Sequence, residues 1–557
     1  MFSANEKLKQ VYNGDCVHDN PGNHLHGGVG VATDYKHRTL LHRLLPYAHQ
    51  LYDVPRHQLG KQFVLTYADL MNGLGPKRRE HNSEYVLLYV ILILRKEKNI
   101  KSSKGIKLLL ERRLERFQDP TQLAAMVDEA ETAFKRNQSN LRKDLTDEDL
   151  ARTYDSMCAR GDHSKALRWL TDRDGGAVLS PSDIDDKTSM TVEEVLKSKH
   201  PPLRNVEPSF LEKFDTVPDF PTVVITGDDV EKVARKLRGS AGLANFDSII
   251  MRNLLLQHGQ ASQTLREAFA TFSTWMATKN VPWAVYRGFM MSRMVGLGKP
   301  DGGVRPVGIG DINRRFVAKI ILSVTGDDAT EACSSDQLCA GLKFGCEGGV
   351  HGMTAAFDVA SANEDVGFML VDADNAFNSF SRIQMLWNVR HAWPAGAWFA
   401  FNCYKHWSLL MVREPGGCSS AIINSREGVT QGDPFAMVMY AIGTLPLIRR
   451  VRKQAIDANH SWYADDSSVV GRFPDLKRVY SALCIWGVNY GYIPNSSKTK
   501  IIVPEHRLAA AQQYFNTESR LNFEVQSGAR YLGGFVGSTL LRNVHVEAKI
   551  SNWVYAI

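Results

Sequence analysis

The stretch from Trp462 to Val470, which reads WYADDSSVV, decides the fold of this chain. Aromatic and β-branched residues flank Asp465 and Asp466, a pattern that predicts a tight hairpin with the two acids at its tip. Adjacent carboxylates repel each other and cost stability unless a cation lies between them. A solvated turn is the simpler interpretation of an isolated Asp-Asp pair, so the functional interpretation depends on the rest of the chain.

Composition and charge describe a large globular chain. It has 557 residues, of which 44% are hydrophobic and 23% charged, and such fractions are typical of folded rather than disordered proteins. The net charge of +7 suits a polyanionic partner without requiring one. The eight cysteines are scattered with no close CxxC pair, which argues against a zinc module or a disulfide framework. Reduced thiols in an intracellular protein fit best.

The sequence gives no sign of a membrane partner. The N-terminus lacks the basic-then-apolar pattern of a signal peptide. The longest apolar run, Tyr85 to Leu94, is too short to span a bilayer and is interpreted as a buried helix or strand. We therefore expect an intracellular protein, located in the nucleus, the cytoplasm or both.

Two regions are predicted, a mostly helical N-terminal region over 1–220 and a body over 221–557. The candidate boundary runs from Lys199 to Pro221, where several prolines break regular structure. Residues 58–118 are predicted to be helical, and basic residues outnumber acids in their second half. A solvated helix face is the simpler interpretation of that charge, and a phosphate-contacting patch is the alternative.

The body is predicted to begin with a short strand and three helices. Val223 to Thr226 predicts the strand, and Asp228 or Asp229 is expected to cap a helix from Asp229 to Leu237. Apolar residues at three- and four-residue spacing over 246–277 predict two helical segments.

Residues 294–310, MVGLGKPDGGVRPVGIG, form the first block that bears on function. Val and Leu alternate on both sides of Asp301-Gly302-Gly303, which predicts a hairpin with Lys299 and Arg305 on opposite arms. Two cations on such a hairpin can clamp a triphosphate, although two basic residues near a turn are weak evidence alone. The glycine-rich segment over 341–352 predicts a closely packed turn, with a phosphate-binding loop as the alternative.

A third acid follows an apolar strand. Phe368 to Val371 are apolar and Asp372 comes next, where an acid is expensive unless it is paired or binds a metal. Together with Asp465 and Asp466 it forms an oxygen-only set on neighbouring strands, the kind that magnesium prefers. Two such ions can activate an attacking hydroxyl and stabilise a leaving pyrophosphate.

Two further segments complete the set of motifs. Residues 425–434, SREGVTQGDP, are expected to form a loop that feeds a long buried helix from Phe435 to Leu447. Gly432 has no side chain to prevent a close approach to a base pair. Lys498 precedes a predicted strand from Ile501 to Val503, and it is either a solvated turn lysine or a cation near the pyrophosphate.

In this order the blocks resemble the reverse transcriptases of retroelements and their group II intron relatives. The resemblance covers residues 239–537, and the matching pieces are Lys299 with Arg305-Pro306, Asp372 with Ala376-Phe377-Asn378, Gln431-Gly432-Asp433-Pro434, Tyr463-Ala464-Asp465-Asp466, Lys498 and Leu532-Gly533. Gly161 to Leu170 and Lys199-His200-Pro201 also look like the region that precedes this domain in one class of eukaryotic retroelement polymerases.

The resemblance implies an α+β fold, a right-hand polymerase whose fingers and palm are an antiparallel sheet with helices. A thumb would be largely missing, with residues 546–557 as the start of its first helix. It also implies RNA-directed DNA synthesis, in which the partners are an RNA template, a primer strand, their RNA–DNA hybrid and deoxynucleoside triphosphates. The oligomeric state stays open.

The resemblance also assigns roles to site residues. Asp372, Asp465 and Asp466, with the Ala373 carbonyl, would hold two Mg²⁺ ions, for which Mn²⁺ is a substitute. Lys299 and Arg305 would bind the triphosphate. Gln431 and Gly432 would contact the template or the nucleotide, and Lys498 would lie on the pyrophosphate side. Phe377 would lie under the sugar and exclude a 2′-hydroxyl, and it can serve as a core phenylalanine as well.

Two other functions are weighed against this one. The first is a retired or truncated polymerase that binds nucleic acid; retirement would be expected to remove the metal carboxylates, because buried acids without a ligand cost stability, and all three are present. An RNA-directed RNA polymerase would require a small polar group beneath the sugar, where this chain has Phe377.

Overall fold

The computed structural model describes the chain except for residues 1–2, 13–30, 48–49, 139–146, 160, 162, 164–165, 167–177, 300–301, 363–364, 414–418, 517–520 and 557. Most of the segment Gly161 to Leu170 and the tip of the predicted hairpin at Asp301 therefore lie outside the described residues.

The chain up to residue 235 is mainly helical in its described parts. Its helices are Ala4–Val11 (α1), Val31–Leu44 (α2), Gln58–Leu74 (α3), Ser83–Leu94 (α4), Ser103–Phe117 (α5), Leu123–Gln138 (α6), Asp147–Ala159 (α7), Val192–Ser198 (α8) and Gly227–Arg235 (α9).

Helices continue through the rest of the chain. They are Ser248–Leu256 (α10), Gln260–Thr278 (α11), Trp283–Tyr286 (α12), Ile312–Cys333 (α13), Gly345–Ala360 (α14), Ala376–Ser379 (α15), Arg382–Ala392 (α16), Pro394–Tyr404 (α17), Ala436–Arg452 (α18), Phe473–Ala482 (α19), Val488–Tyr490 (α20), Leu508–Phe515 (α21) and Thr539–Ala556 (α22). Shorter 3₁₀ or π turns occur at Pro208–Phe210, Arg287–Met290, Leu483–Gly487, Ser496–Lys498 and Glu505–Arg507.

The strands are Val178–Leu179 (β1), Ser292–Gly298 (β2), Val304–Gly310 (β3), Val366–Val371 (β4), Ser408–Arg413 (β5), Ser419–Ser425 (β6), Asn459–Tyr463 (β7), Asp466–Arg472 (β8), Lys500–Ile502 (β9), Glu524–Gln526 (β10), Gly528–Tyr531 (β11) and Gly534–Gly537 (β12). The described residues thus confirm a mixture of helices and sheets.

Two five-stranded sheets position the motifs. The hairpin sheet joins β2 to β3 on one side and to β1 and β5 on the other, and β6 pairs with β5. The acidic sheet has the order β10-β9-β4-β8-β7. Both sheets are mixed, because β2 runs parallel to β5 and β9 runs parallel to β10. The expectation of an antiparallel sheet is therefore wrong for these two strand pairs, whereas the other pairs in the two sheets are antiparallel.

The helices of the N-terminal region share one hydrophobic core with the rest of the chain, and that core extends from Ala4 to Phe523. The apolar run from Tyr85 to Leu94 is helical, which settles the choice between helix and strand. Periodicity alone could not decide it, because every residue from Val86 to Leu94 is buried on all faces of the helix. Tyr67 Oη donates a hydrogen bond to Asn313 Oδ1 at 2.5 Å and so ties α3 to α13.

The predicted strand from Val223 to Thr226 is wrong. Val223 and Ile225 are buried while Val224 is 64% exposed, so the extended alternation exists, but no strand pairs with it among the described residues. The Ile225 N–H donates to Thr274 Oγ1 instead, at 3.1 Å. A local pattern predicts an extended segment, whereas a strand also needs a partner that lies elsewhere in the chain.

The predicted cap of the next helix is also wrong. Thr226 is the N-cap of α9, and its hydroxyl accepts from the Asp229 N–H while the Asp229 carboxylate accepts from the Thr226 N–H. This reciprocal capping box satisfies two backbone donors at once, so the helix begins at Gly227 and ends at Arg235 rather than running from Asp229 to Leu237.

Several local predictions are confirmed. The two helical segments over 246–277 are α10 and α11, and the helix after the 425–434 loop is α18. The closely packed turn predicted over 341–352 is wrong for most of that segment, because only residues 341–344 precede α14 and residues 345–352 are helical. The C-terminal helix is present and begins at Thr539, before the predicted Val546. In the described part of the chain, no helix is both long and apolar enough to cross a membrane.

Candidate active site

The three acids of the sequence motifs meet at one end of the acidic sheet. Asp372 directly follows β4, whose last residue, Val371, pairs with Ser467 of β8. Asp466 is the first residue of β8, and Asp465 lies in the tight turn that joins it to β7. The hairpin predicted from WYADDSSVV is therefore confirmed, and antiparallel pairing brings its acidic tip beside the end of β4.

The electrostatics of these acids reflect burial and mutual repulsion. Burial raises the pKa of Asp465 to about 6, and the charge of Asp372 adds to the shift. Burial likewise raises the pKa of Asp466 to about 7, with both other acids contributing. Burial also raises the pKa of Asp372. Carboxylates placed in this way favour a bound cation, because a cation offsets both the desolvation and the repulsion.

The oxygen atoms suit a hard divalent cation. Ala373 forms an antiparallel bridge with Pro494 next to Asp372. The backbone hydrogen bonds of this bridge run from Asp374 N–H to Ile493 O and from Asn495 N–H to Asp372 O, and they do not use the Ala373 carbonyl. Among the described residues, no three acidic, histidine or cysteine side chains converge to metal-binding distance. The oxygen donors nevertheless fit Mg²⁺ in their chemistry, because this ion prefers carboxylate and carbonyl ligands.

Basic residues surround the acids. Lys498 Nζ lies 2.5 Å from Asp374 Oδ1 and 3.9 Å from Asp372 Oδ2. The hairpin predicted around Lys299 and Arg305 is confirmed, since β2 pairs with β3 from Ser292↔Gly310 to Gly298↔Val304. The charges of Arg305 and Lys299 both act on Asp465 to lower its pKa, against the effect of burial. The positive charges of both hairpin residues therefore act on the acidic site.

The Gln431-Gly432 loop is anchored to the same hairpin. The Gly308 N–H of β3 donates to the Gln431 carbonyl at 2.9 Å. Gly432 has a φ of +103°, and a Cβ there would lie 2.6 Å from the Gly308 carbonyl oxygen, so only glycine fits without displacing the backbone. Gln431 is half-buried and Gly432 is exposed to solvent.

Phe377, in the short helix α15, packs against α18. Its ring stacks on Tyr440 with centroids 4.5 Å apart and an interplanar angle of 19°. Burial raises the pKa of Tyr440 well above its ordinary value, and the charge of Asp465 adds to the shift. Phe377 itself is half-buried and packs against the main core, which is compatible with both roles weighed for it.

Comparison with known proteins agrees with this arrangement. Residues 297–534 match the family model described as reverse transcriptase (RNA-dependent DNA polymerase). The chain carries a reverse transcriptase domain of a retroelement. It is similar to the retrotransposable element SLACS 132 kDa protein of Trypanosoma brucei gambiense, with 25% identity over 289 residues. That alignment covers 50% of this chain and 23% of the relative, so the chain matches about a quarter of the relative's length.

Sequence reasoning missed residues that hold the reverse transcriptase motifs in place. The buried Gln337 side chain donates to the Ala464 carbonyl at 2.9 Å and accepts from the Ala464 N–H at 2.8 Å, which clamps the Asp-Asp turn. Tyr492 Oη donates to the Asp465 carbonyl at 3.0 Å. No local signal could have identified Gln337, because its partner is 127 residues away.

Asp433 also has a further role in this domain. Asp433 is part of the Gln431-Gly432-Asp433-Pro434 motif, and its Oδ1 accepts a hydrogen bond from the Phe435 N–H at the start of α18. Its other oxygen forms a buried ion pair with Arg314 and accepts a hydrogen bond from Tyr404 Oη at 2.7 Å. Asp433 therefore ties the 425–434 loop to α13 and α17.

Proposed function

We propose that this chain is an RNA-directed DNA polymerase of a mobile element, which extends a primer 3′-hydroxyl with deoxynucleoside triphosphates along an RNA template. The observation that carries the proposal is the meeting of Asp372, Asp465 and Asp466 opposite the Lys299/Arg305 hairpin. Nucleotidyl transfer needs carboxylates for metal ions on one side of the reacting phosphate and cations for the triphosphate on the other.

The acids would bind the metal in this reaction. Asp372, Asp465, Asp466 and the Ala373 carbonyl would hold two Mg²⁺ ions, or Mn²⁺ in their place, and their donor chemistry supports this role. When bound, such ions activate the attacking hydroxyl and stabilise the charge of the leaving pyrophosphate.

The remaining site residues would bind and orient the nucleotide. Lys299 and Arg305 neutralise the triphosphate, and Lys498 lies on the pyrophosphate side, either as a counter-charge or as a proton donor. Gln431 and Gly432 line the template or nucleotide, because their loop is anchored to the hairpin. Phe377 excludes a 2′-hydroxyl from beneath the sugar, which would favour deoxynucleotides.

The architecture can be assigned on the same basis. The hairpin sheet corresponds to fingers, the acidic sheet to palm, and α22 to the start of a thumb. Residues 221–557 would then form the polymerase body and residues 1–220 a mostly helical N-terminal region. An RNA template, a primer and their RNA–DNA hybrid would be the macromolecular partners, in the nucleus or the cytoplasm.

Primer extension tests the proposal. The full chain is incubated with an RNA template, a DNA primer, Mg²⁺ and either deoxy- or ribonucleoside triphosphates, beside the Asp465→Asn variant as control. We expect extension with deoxynucleotides that disappears in the variant, while template–primer binding is retained. Extension with ribonucleotides alone would indicate an RNA polymerase, and tight binding without extension would indicate a nucleic-acid-binding scaffold.

A further inference from the structure

Residues 178–200, here called the upstream segment, pack on the β2–β3 hairpin although they precede the residues that match the reverse transcriptase model. Its strand β1 pairs with the C-terminal end of β2, with Val178 opposite Leu297. Its helix α8 shares a hydrophobic cluster with both hairpin strands, and the members of that cluster include Val192, Val195, Leu196, Met294 and Val304. The upstream segment thus supports the hairpin that bears Lys299 and Arg305.

Lys199, directly after α8, is tied by its backbone to the loop that carries the first acid. Asn375 Nδ2 donates a hydrogen bond to the Lys199 carbonyl at 2.8 Å. Asn375 follows Asp374, whose carboxylate pairs with Lys498 at 2.5 Å. The end of α8 is therefore held beside both the Asp372 loop and the pyrophosphate-side lysine.

The charges around Lys199 indicate what it can bind. Burial lowers the pKa of Lys199, and the charges of Lys299 and Lys498 lower it further, against the opposite effects of Asp374 and Asp185. The charges of three lysines from three separate parts of the chain therefore act on one another beside Asp374. Crowded ammonium groups repel one another, and a polyanion placed among them relieves that repulsion while accepting charge-assisted hydrogen bonds.

We propose that Lys199 is a third lysine of the nucleotide site and contacts the polyphosphate of the incoming nucleoside triphosphate together with Lys299 and Lys498. This inference rests on the proposed polymerase function and extends it, because it makes the upstream segment a part of the nucleotide site. It also predicts that the residues matching the reverse transcriptase model do not form the whole triphosphate site by themselves.

Four full-length proteins test this inference. They are the wild type, Lys199→Met, which keeps the aliphatic stem, Lys199→Arg, which keeps the charge, and Lys197→Ala as the matched control. Lys197 lies on the same helix, and its exposed side chain pairs with Glu193 at 2.6 Å. Binding of the next complementary deoxynucleoside triphosphate is measured on a template–primer whose primer ends in a dideoxynucleotide. Nucleotide KM and kcat, template–primer Kd and the urea midpoint of unfolding are measured in parallel.

For Lys199→Met we expect nucleotide binding about 10- to 100-fold weaker, the effect of losing one charge-assisted contact. Template–primer Kd and the urea midpoint should stay at the wild-type values, Lys199→Arg should recover most of the affinity, and Lys197→Ala should match the wild type.

Other outcomes would overturn the inference. Unchanged nucleotide affinity in Lys199→Met would overturn it. A loss of template–primer affinity as large as the loss of nucleotide affinity would also overturn it, because Lys199 would then contact the nucleic-acid backbone. If both Lys199 variants unfold at a lower urea concentration and lose nucleotide affinity equally, Lys199 has a structural role and the inference is wrong. A wild-type protein that never extends primers would refute the proposed function itself. If the wild type extends primers and only the prediction for Lys199 fails, the proposed function stands.

Discussion

A single methyl group added at Gly428 should disturb the candidate active site more than the same methyl group added at an exposed helical glycine. Gly428 has a φ of +61°, and a Cβ there would lie 2.1 Å from the Phe377 carbonyl oxygen and 2.6 Å from the Asn378 carbonyl carbon. Both neighbours are backbone, so neither can rotate away. The Phe377 carbonyl would have to retreat by about 1 Å to reach ordinary contact distance.

The expected cost of Gly428→Ala has two sources. The left-handed backbone disfavours alanine by about 1 kcal/mol, and overpacking against backbone costs about 1–3 kcal/mol. The displacement would also strain two backbone hydrogen bonds of 2.8 Å, from Gly428 N–H to Phe380 O and from Val429 N–H to Phe377 O. We expect the free energy of unfolding to fall by about 2–5 kcal/mol.

Gly352→Ala is the matched control. Gly352 lies in α14, is exposed, and a Cβ there would meet no atom within 4 Å. Replacing a glycine in a helix interior with alanine should raise the free energy of unfolding by about 0.5–1 kcal/mol. Urea unfolding followed by circular dichroism measures both variants. A Gly428→Ala variant within about 0.5 kcal/mol of the wild type would refute the close packing of this loop against Phe377.

Three further predictions concern other parts of the molecule. Phe377→Val should admit ribonucleotides in primer extension, because the smaller side chain leaves room for a 2′-hydroxyl; unchanged sugar selectivity would remove Phe377 from this role. Arg314→Met should lower the free energy of unfolding by about 3–5 kcal/mol in urea, because it leaves the buried Asp433 carboxylate without its cation; a loss below about 1 kcal/mol would contradict the importance of this ion pair. Burial raises the pKa of Asp311 to about 6 from an ordinary value of 3.8. Between these two pH values the folded state therefore keeps a proton on Asp311 that the unfolded state has released. Raising the pH from about 4 to 6 should therefore destabilise the wild type relative to Asp311→Asn, and parallel pH profiles would argue against a protonated Asp311.

The motifs could be predicted from sequence because each depends on neighbouring residues. The alternation around Asp465 and Asp466 favours a strand-turn-strand unit whatever surrounds it, and the same holds for the hairpin of Lys299 and Arg305. Capping and pairing were harder to predict. Val223 to Thr226 had the alternation of a strand and no partner, and the Thr226 hydroxyl took the capping role expected of an aspartate.

The order of the amino acids specifies which chemical groups this protein has and the local elements that carry them. The packing of the folded chain brings particular groups together. Gln337 clamps the Asp-Asp turn across 127 residues, and Asn375 holds Lys199 across 176 residues. The physical reason is that turn and strand preferences act over a few neighbouring residues, whereas a contact between distant segments forms only when the whole core packs in one arrangement.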